Sequence, residues 1–198
     1  MKTKRSVRFF GCSVIAIASI TASLPLAQAH DHGDHQNASQ SRQESSSKDR
    51  KRSGEFVKLV REVTARYRDV RNAEADNYNL LFGCVSGAEW GAMGLHYVNL
   101  ELAADGKLDP ARPEIVIYEP LPNGGRRIVG ADYLVFAADW DLSKGTPILN
   151  GQLMHLIDSP NRYGLPAFYT LHVWAWKDNP NGAFVNWHPS VSCDAFEG

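Results

Sequence analysis

Apolar positions recur mostly at intervals of three or four residues between Glu55 and about Leu81, and charged residues occupy most of the positions between them. The apolar set is Phe56, Leu59, Val60, Val63, Tyr67, Val70, Tyr78 and Leu81. This periodicity predicts one long amphipathic helix, which ends by Gly83 and buries its apolar stripe in the core.

Later segments are rich in β-branched and aromatic residues, which predicts β-strands. The predicted strands are residues 94–100, 113–120, 126–138 and 167–177. Asn123 and Gly124 favour a tight hairpin between the second and third strands. The sequence DNPNG at 178–182 predicts a turn that returns the chain through AFVNW.

One long helix followed by four or five strands predicts an α+β fold, in which the helix packs across one face of a twisted, mainly antiparallel sheet. A β-sandwich with an accessory helix is the alternative architecture. Either one would be a single domain covering residues 54–198, a length that can bury one sizeable core.

The last predicted strand contains a histidine among large aromatic residues. Strand alternation puts one set of side chains on the face of His172 and leaves Tyr169, Leu171, Val173 and Ala175 on the other. The set on the His172 face is Phe168, Thr170, Trp174 and Trp176. This histidine is either a hydrogen-bonded core residue or a ligand directed at a metal or a small molecule.

Residues 139–166 form a long connection that is rich in Gly, Pro and Asn. A connection of this length is uncommon unless it covers something. We interpret it as a lid over one mouth of the sheet, whose apolar underside is Leu149, Leu153, Met154 and Leu156. A packed surface loop that completes the core is the alternative.

The first 29 residues have the pattern of a secretory signal peptide. Four basic residues precede an apolar run, and Ala27-Gln28-Ala29 is typical of a cleavage site, so the mature chain is expected to begin at His30. A retained membrane anchor is disfavoured because Ser, Thr and Pro interrupt the run before it reaches the roughly 20 apolar residues that a span needs. The predicted location is therefore periplasmic or secreted, without a transmembrane segment after processing.

Residues 30–53 contain no aromatic residue and no aliphatic residue larger than alanine, so they are expected to form a disordered His/Ser-rich tail. After cleavage at Ala29, the terminal amine, backbone nitrogens and the imidazole of His32 would suit square-planar Cu(II) or Ni(II). His30 offers a second chelate through its own amine and ring. The alternative is a solvated tail without selective metal binding.

Charge and cysteine content restrict the partners. Removal of residues 1–29, with four basic and no acidic side chains, changes the formal net charge from −1 to −5, so nothing favours nucleic acid. Processing also removes Cys12 and leaves Cys84 and Cys193. In an oxidising compartment this pair predicts a disulfide, and a pair of metal-binding or redox thiols is the alternative.

Three sequence blocks resemble those of a family of uncharacterised secreted bacterial proteins. The blocks are GAMGLHYVN, YEP and LHVWAWKDNPNGAFVNWHPSVSC, and the similarity covers most of residues 55–198. The resemblance implies export and a shared fold. It implies no activity, so the functional argument depends on individual residues.

Ligand-type side chains occur on separate predicted strands. They are His96, Glu119, Asp132 and His172. Two histidines and one carboxylate are a common ligand set for Zn(II), Fe(II) or Mn(II), with positions left open for a substrate. The alternative is structural: a hydrogen-bonded His172, a turn residue at Glu119, and an Asp132 paired with Arg126 or Arg127.

The aromatic content predicts a ligand cleft beside this group. The predicted cleft residues are Trp140, Met154, His155, Tyr163, Trp174 and Trp176. The sequence therefore favours an exported module that binds a metal ion or a small molecule. A small metalloenzyme that uses the two histidines and a carboxylate is the alternative, and a disulfide-bonded structural or interaction domain is a second alternative.

Overall fold

The structure is a computed structural model that describes residues 33–198. The helical elements are α1 (Gly33–Val63), a 3-10 turn (Ala65–Arg68), α2 (Val70–Ala75), α3 (Leu100–Ala103) and a second 3-10 turn (Leu142–Lys144). The strands are β1 (Tyr78–Gly87), β2 (Gly91–Asn99), β3 (Ile115–Pro120), β4 (Arg126–Phe136), β5 (Ile148–Leu149), β6 (Gln152–Leu153), β7 (His155–Ile157) and β8 (Phe168–Val173).

The fold is α+β, as predicted, with the N-terminal helix packed on a curled, antiparallel sheet of six strands that forms a half-barrel. The strand order is β1-β2-β3-β4-β8-β7, and β5 and β6 form a separate small sheet. The sandwich alternative is therefore wrong. Gly124 has a positive φ of 77° in the predicted hairpin between β3 and β4.

Helix α1 begins well before the predicted start at Glu55. Residues 42–52 are exposed on this helix, and their contacts include the local ion pair between Lys51 and Glu55. They contribute nothing to the core, and the disorder expected for residues 30–53 in solution stays a prediction. The buried part of α1 includes Phe56 and Val60, which are fully inaccessible.

The prediction of one unbroken helix from Glu55 to Leu81 is wrong. Helix α1 ends at Val63, and a 3-10 turn separates it from α2. Asp69 caps α2 by accepting a hydrogen bond from the backbone N–H of Arg71, a common way to begin a new helix. Asn77, with a positive φ of 66°, then directs the chain into β1. The apolar positions continue the helical spacing because both helices and the start of β1 bury residues against the same face of the sheet.

The two faces of the sheet carry separate clusters of buried residues. One face, here called the outer face, is covered by α1 and α2, and its strands contribute residues such as Tyr133, Leu171 and Tyr118. The opposite face, here called the inner face, carries another apolar cluster, which includes Ile117 and Trp174.

The predicted alternation along β8 is confirmed between Phe168 and Trp174. Phe168 and Trp174 belong to the inner cluster, whereas Tyr169, Leu171 and Val173 belong to the outer one. Trp176 is an exception, because the strand ends at Val173 and Trp176 packs against the outer clusters. Its indole N–H donates to Thr64 Oγ1 at 2.9 Å.

The long connection 139–166 is divided between the two faces. Leu149 and Met154 are buried under α1 in the outer cluster, whereas Tyr163 and Leu165 pack on the inner cluster. Leu153 and Leu156 are 59% and 52% exposed, so the prediction that they form one apolar underside together with Leu149 and Met154 is wrong. Strand β7 instead extends the main sheet as its last strand.

Cys84 and Cys193 form a disulfide across a sequence separation of 109 residues. The bond fastens the C-terminal segment to β1, beside the inner cluster. Within residues 33–198, no helix combines the length and the apolar character needed to cross a membrane. The predicted signal peptide lies outside the described residues.

Candidate metal-binding site

Three ligand-type side chains converge on the inner face of the sheet. They are His96 on β2, Asp132 on β4 and His172 on β8. In a flat sheet, β2 and β8 would be separated by three strand spacings, about 14 Å. One ligand atom from each residue nevertheless lies within 4.8 Å of those from the other two. The curl of the sheet brings the side chains together on its inner face.

The group is buried. His96, Asp132 and His172 are 5%, 7% and 1% exposed. In a tetrahedral site with metal–ligand distances of about 2.1 Å, neighbouring ligand atoms lie about 3.4 Å apart, so the three atoms would move together by up to about 1.4 Å to enclose a zinc-sized ion. His96, Asp132 and His172 could therefore bind a metal ion.

His96 is held in one tautomer by a backbone contact. Its Nδ1 lies 3.1 Å from the carbonyl oxygen of Gly94, which can only accept, so Nδ1 carries the proton and Nε2 keeps a free lone pair. Burial lowers the pKa of His96 to about 4, so the ring is neutral at neutral pH. A neutral imidazole oriented by a hydrogen bond from its other nitrogen is the usual form of a metal ligand.

Gly94 is required at its position. A Cβ there would lie 2.4 Å from the carbonyl oxygen of Tyr118 on β3, and its φ of 107° is unfavourable for other residues. The close approach of β2 and β3 at this point directs the Gly94 carbonyl to the ring of His96.

Asp132 is fixed by Thr170, whose hydroxyl donates to Asp132 Oδ1 at 2.6 Å. Burial raises the pKa of Asp132 to about 7, although the hydrogen bond from Thr170 favours the carboxylate. At neutral pH, Asp132 is therefore present in both its acid and its carboxylate form. A neighbouring cation would favour the carboxylate.

His172 differs from the other two because neither of its ring nitrogens has a hydrogen-bond partner within the part of the chain that the structure describes. The ring lies against the indole of Trp174 with the centroids 4.4 Å apart, and Trp174 in turn contacts His188. Burial, reinforced by the neighbouring His96 and His188, holds the pKa of His172 well below its usual range. A neutral, fully buried imidazole is thus left with an unused lone pair beside Asp132 and His96.

A small pocket of about 40 Å³ reaches this group on the inner face. His96, Asp132 and Thr170 contribute polar atoms to its wall. The remaining lining residues are Phe82, Met93, Ile115, Leu134, Ile157, Tyr163, Leu165, Phe168 and Asn186. The volume is well below the roughly 300 Å³ or more of a typical pocket for an organic ligand.

Glu119, the other predicted carboxylate, does not join the group. Its carboxylate pairs with Arg127 and accepts from Lys177 Nζ at 2.9 Å. Burial opposes ionisation there, but hydrogen bonds from both basic side chains hold the pKa of Glu119 below its usual range. Because His96 pairs with Ile117, Glu119 lies two residues farther along β3, about 7 Å from the level of His96.

The predicted aromatic cleft is not formed as a unit. Tyr163 lines the small pocket, and Trp174 contacts His172. Trp140, Met154 and Trp176 instead pack in the outer cluster, on the other side of the sheet. His155 is exposed on β7. The cleft prediction is therefore wrong for these four residues, because the segments outside regular strands do not follow a single alternation.

The structure adds three residues that sequence reasoning missed: Gly94, Thr170 and Phe82. Thr170 was placed on the face of His172 by alternation, but its contact with Asp132 depends on the register between β4 and β8. His30 and His32, predicted to bind copper or nickel, lie outside the described residues.

No family model, curated protein or solved structure matches this chain. Functional inference therefore rests on the geometry and chemistry of the residues themselves.

Proposed function

We propose that this protein binds one divalent transition-metal ion through His96, Asp132 and His172. The observation that carries the proposal is the buried imidazole of His172, which has no hydrogen-bond partner on either nitrogen among the described residues. Leaving a buried polar group without a partner costs about 1–3 kcal/mol. An ion bound to one of the two nitrogens would use the lone pair that the fold leaves free and would remove the cost at that atom.

A purely structural histidine is expected to have hydrogen bonds, and His188 in the same protein is an example. Its Nε2 lies 3.1 Å from the carbonyl oxygen of Asp178, and its Nδ1 accepts from the backbone N–H of Ser190. His172 has no comparable contacts, although it is equally buried. The contrast supports a ligand role for His172.

Two imidazole nitrogens and one carboxylate oxygen suit Zn(II), Fe(II) or Mn(II). Three protein ligands leave one position open in a tetrahedral site and three in an octahedral site. The positive ion would be partly neutralised by the Asp132 carboxylate, which Thr170 already orients.

We place the protein in the periplasm or outside the cell. The signal-peptide pattern of residues 1–29 and the pairing of Cys84 with Cys193 support export. The resemblance of the sequence blocks to secreted bacterial proteins points the same way.

The test uses the full chain with His30, His32 and His35 replaced by alanine, so that the N-terminal histidines cannot bind the added metal. After treatment with a chelator, Zn(II) is titrated in a calorimeter. We expect one ion per chain, and we expect His172→Gln to weaken binding by about 100-fold or more, since it removes a direct ligand.

The matched control is His155→Gln, because His155 is exposed and lies on the neighbouring strand β7. It should bind Zn(II) as the parent does. If the parent binds no ion, or if His172→Gln binds as tightly as the parent, the proposed function is wrong. The folding of each variant is checked by thermal unfolding before titration.

A further inference from the structure

Phe82 occupies an unfavourable position in two respects. Its φ is 64°, in the left-handed region that non-glycine residues rarely adopt, and the next residue, Gly83, has the same φ. Its large apolar side chain is also 44% exposed. A left-handed conformation costs a residue with a side chain about 1–2 kcal/mol.

The backbone irregularity that causes this conformation lies directly beside His96. Leu81 pairs with His96 and Cys84 pairs with Leu95, so Phe82 and Gly83 form a bulge in β1 between two consecutive pairs. Bulges at the edges of sheets often redirect a side chain next to a functional site. Here the bulge places Phe82 in the wall of the pocket that reaches His96 and Asp132.

Tyr163 provides the opposing aromatic ring. The rings of Phe82 and Tyr163 meet edge to face with their centroids 5.5 Å apart, and Tyr163 also contacts Phe168. Tyr163 belongs to the connection 139–166, so β1 and this connection contribute one ring each to the pocket. Because Phe82 is the exposed member of the pair, it marks the solvent side of the pocket.

The pocket behind these rings is small and mostly apolar. Its volume of about 40 Å³ is enough for about three water molecules. Its lining, within the part of the chain that the structure describes, includes no lysine, arginine or glutamate. An organic acid, a sugar or a peptide is too large for this volume.

We propose that Phe82 and Tyr163 form a size-selective entrance, through which a neutral molecule of two or three non-hydrogen atoms reaches an open coordination position of the bound ion. This inference rests on the proposed metal site and adds its ligand class. Phe82 acts as a specificity-determining residue, which excludes larger donors from the ion without contacting it.

The test uses the full chain, again with the N-terminal histidines replaced by alanine, loaded with Fe(II) under anaerobic conditions. Nitric oxide serves as the small neutral probe, and its adduct with Fe(II) is followed by absorption and electron paramagnetic resonance spectroscopy. Imidazole serves as the larger donor and is assayed by competition with nitric oxide. We expect the parent to form the nitric oxide adduct and to resist imidazole.

The informative variant is Phe82→Gly, because glycine accepts the left-handed backbone and removes only the ring. Competition by imidazole should become about tenfold stronger or more in this variant, and the affinity for Fe(II) is titrated separately so that parent and variant are compared at equal loading. Phe82→Leu, which keeps part of the apolar volume, should give an intermediate result and serves if the glycine variant does not fold.

The matched control is Trp90→Ala. Trp90 is another exposed aromatic residue, 64% accessible, in the turn between β1 and β2, and it does not line the pocket. Its replacement should change neither nitric oxide binding nor competition by imidazole.

The outcomes separate the two proposals. A parent that binds no Fe(II) overturns the metal site itself. A parent that binds Fe(II) but forms no nitric oxide adduct overturns only the open position and its entrance. Equal imidazole competition in the parent and in both Phe82 variants overturns the assigned role of Phe82.

Discussion

Asp132 and His172 lie directly opposite each other on the adjacent antiparallel strands β4 and β8. Cross-strand neighbours have their Cβ atoms about 4.5–5.5 Å apart, so this pairing alone brings two of the three candidate ligands together. His96 reaches them from β2, with β3 lying between. Two ligands thus depend on strand register, and the third depends on the curvature of the sheet.

The affinity for metal should decrease in mild acid because a proton competes with the ion for Asp132. The pKa of this carboxyl is raised to about 7 by burial, so below this pH the affinity should fall about tenfold per pH unit, and above it the affinity should level off. His96, with a pKa of about 4, and His172, with a pKa held well below its usual range, are already neutral there. Zn(II) titrations between about pH 5.5 and 8 measure the slope.

A slope of one in a plot of the logarithm of metal affinity against pH indicates that a single protonated group competes with the ion. Asp132→Asn should remove the pH dependence together with most of the affinity, since an amide cannot be deprotonated. A slope of two protons would contradict the expectation that both imidazoles are neutral in the empty site.

Replacement of Thr170 by valine should weaken metal binding without removing any direct ligand. Valine keeps the shape of threonine but loses the hydroxyl that donates to Asp132 Oδ1. Loss of such a supporting hydrogen bond typically reduces metal affinity by 10- to 100-fold. The measurement is Zn(II) affinity at pH 8, where Asp132 is mostly ionised in the parent.

Thr64→Val is the matched control for this prediction. Thr64 is also buried, and its hydroxyl bonds to the carbonyl oxygen of Val60, but it lies between α1 and Trp176 on the outer face. It should lower the thermal midpoint while leaving metal affinity unchanged. Equal losses of affinity in both threonine variants would indicate a general effect of destabilisation.

Glu114→Gln should stabilise the protein at slightly alkaline pH. The side chain of Glu114 is buried and accepts from the backbone N–H of Leu134, and burial raises its pKa to about 8. Between its ordinary pKa of 4.5 and about 8, the unfolded chain loses this proton while the folded chain keeps it, so the free energy of unfolding falls as pH rises. The total effect is at most on the order of 5 kcal/mol.

Denaturant unfolding at several pH values measures this effect. Glutamine can still accept from Leu134 but cannot ionise, so the variant should lose this part of the pH dependence. Glu89→Gln, at an exposed position, is the control and should leave the pH profile as it is in the parent. A Glu114→Gln profile that parallels the parent would contradict the prediction.

Loss of the disulfide should destabilise the fold more than any single surface substitution. In the chain-entropy treatment, a closed loop of 109 residues corresponds to about 4–5 kcal/mol. Cys193→Ser and Cys84→Ser should therefore lower the free energy of unfolding by similar amounts. The double variant should be as stable as the less stable of the two single variants. Additive losses would mean that the two sulfurs act independently.

Alternation along β8 correctly predicted the face of the sheet on which His172 lies, because each residue of that strand lies in regular pairing with β4. The sequence also predicted His96 and Asp132 as candidates. It could not choose between Asp132 and Glu119, since that choice depends on which residues lie at the same level across three strands. Lys177 and Arg127 form ion pairs with Glu119, and their positions in the sequence do not reveal this pairing.

The failures of prediction coincide with breaks in regular pairing. Trp176 follows the end of β8, and Phe82 lies in a bulge, so neither obeys strand parity. The prediction that the helix reaches Leu81 failed for a related reason. Residues of α1, α2 and β1 all face one core, so the spacing of apolar residues does not show where the backbone changes direction.

Separation of the ligands along the chain determines where an ion can be acquired. His96, Asp132 and His172 stand far apart in sequence and meet only when β8 has added to a sheet that begins with β1. A chain that crosses a membrane unfolded therefore carries no assembled site with it. If the protein is exported in this way and binds an ion as proposed, the ion is acquired in the compartment where the chain folds, and the metal concentrations of the cytoplasm do not determine which metal is bound.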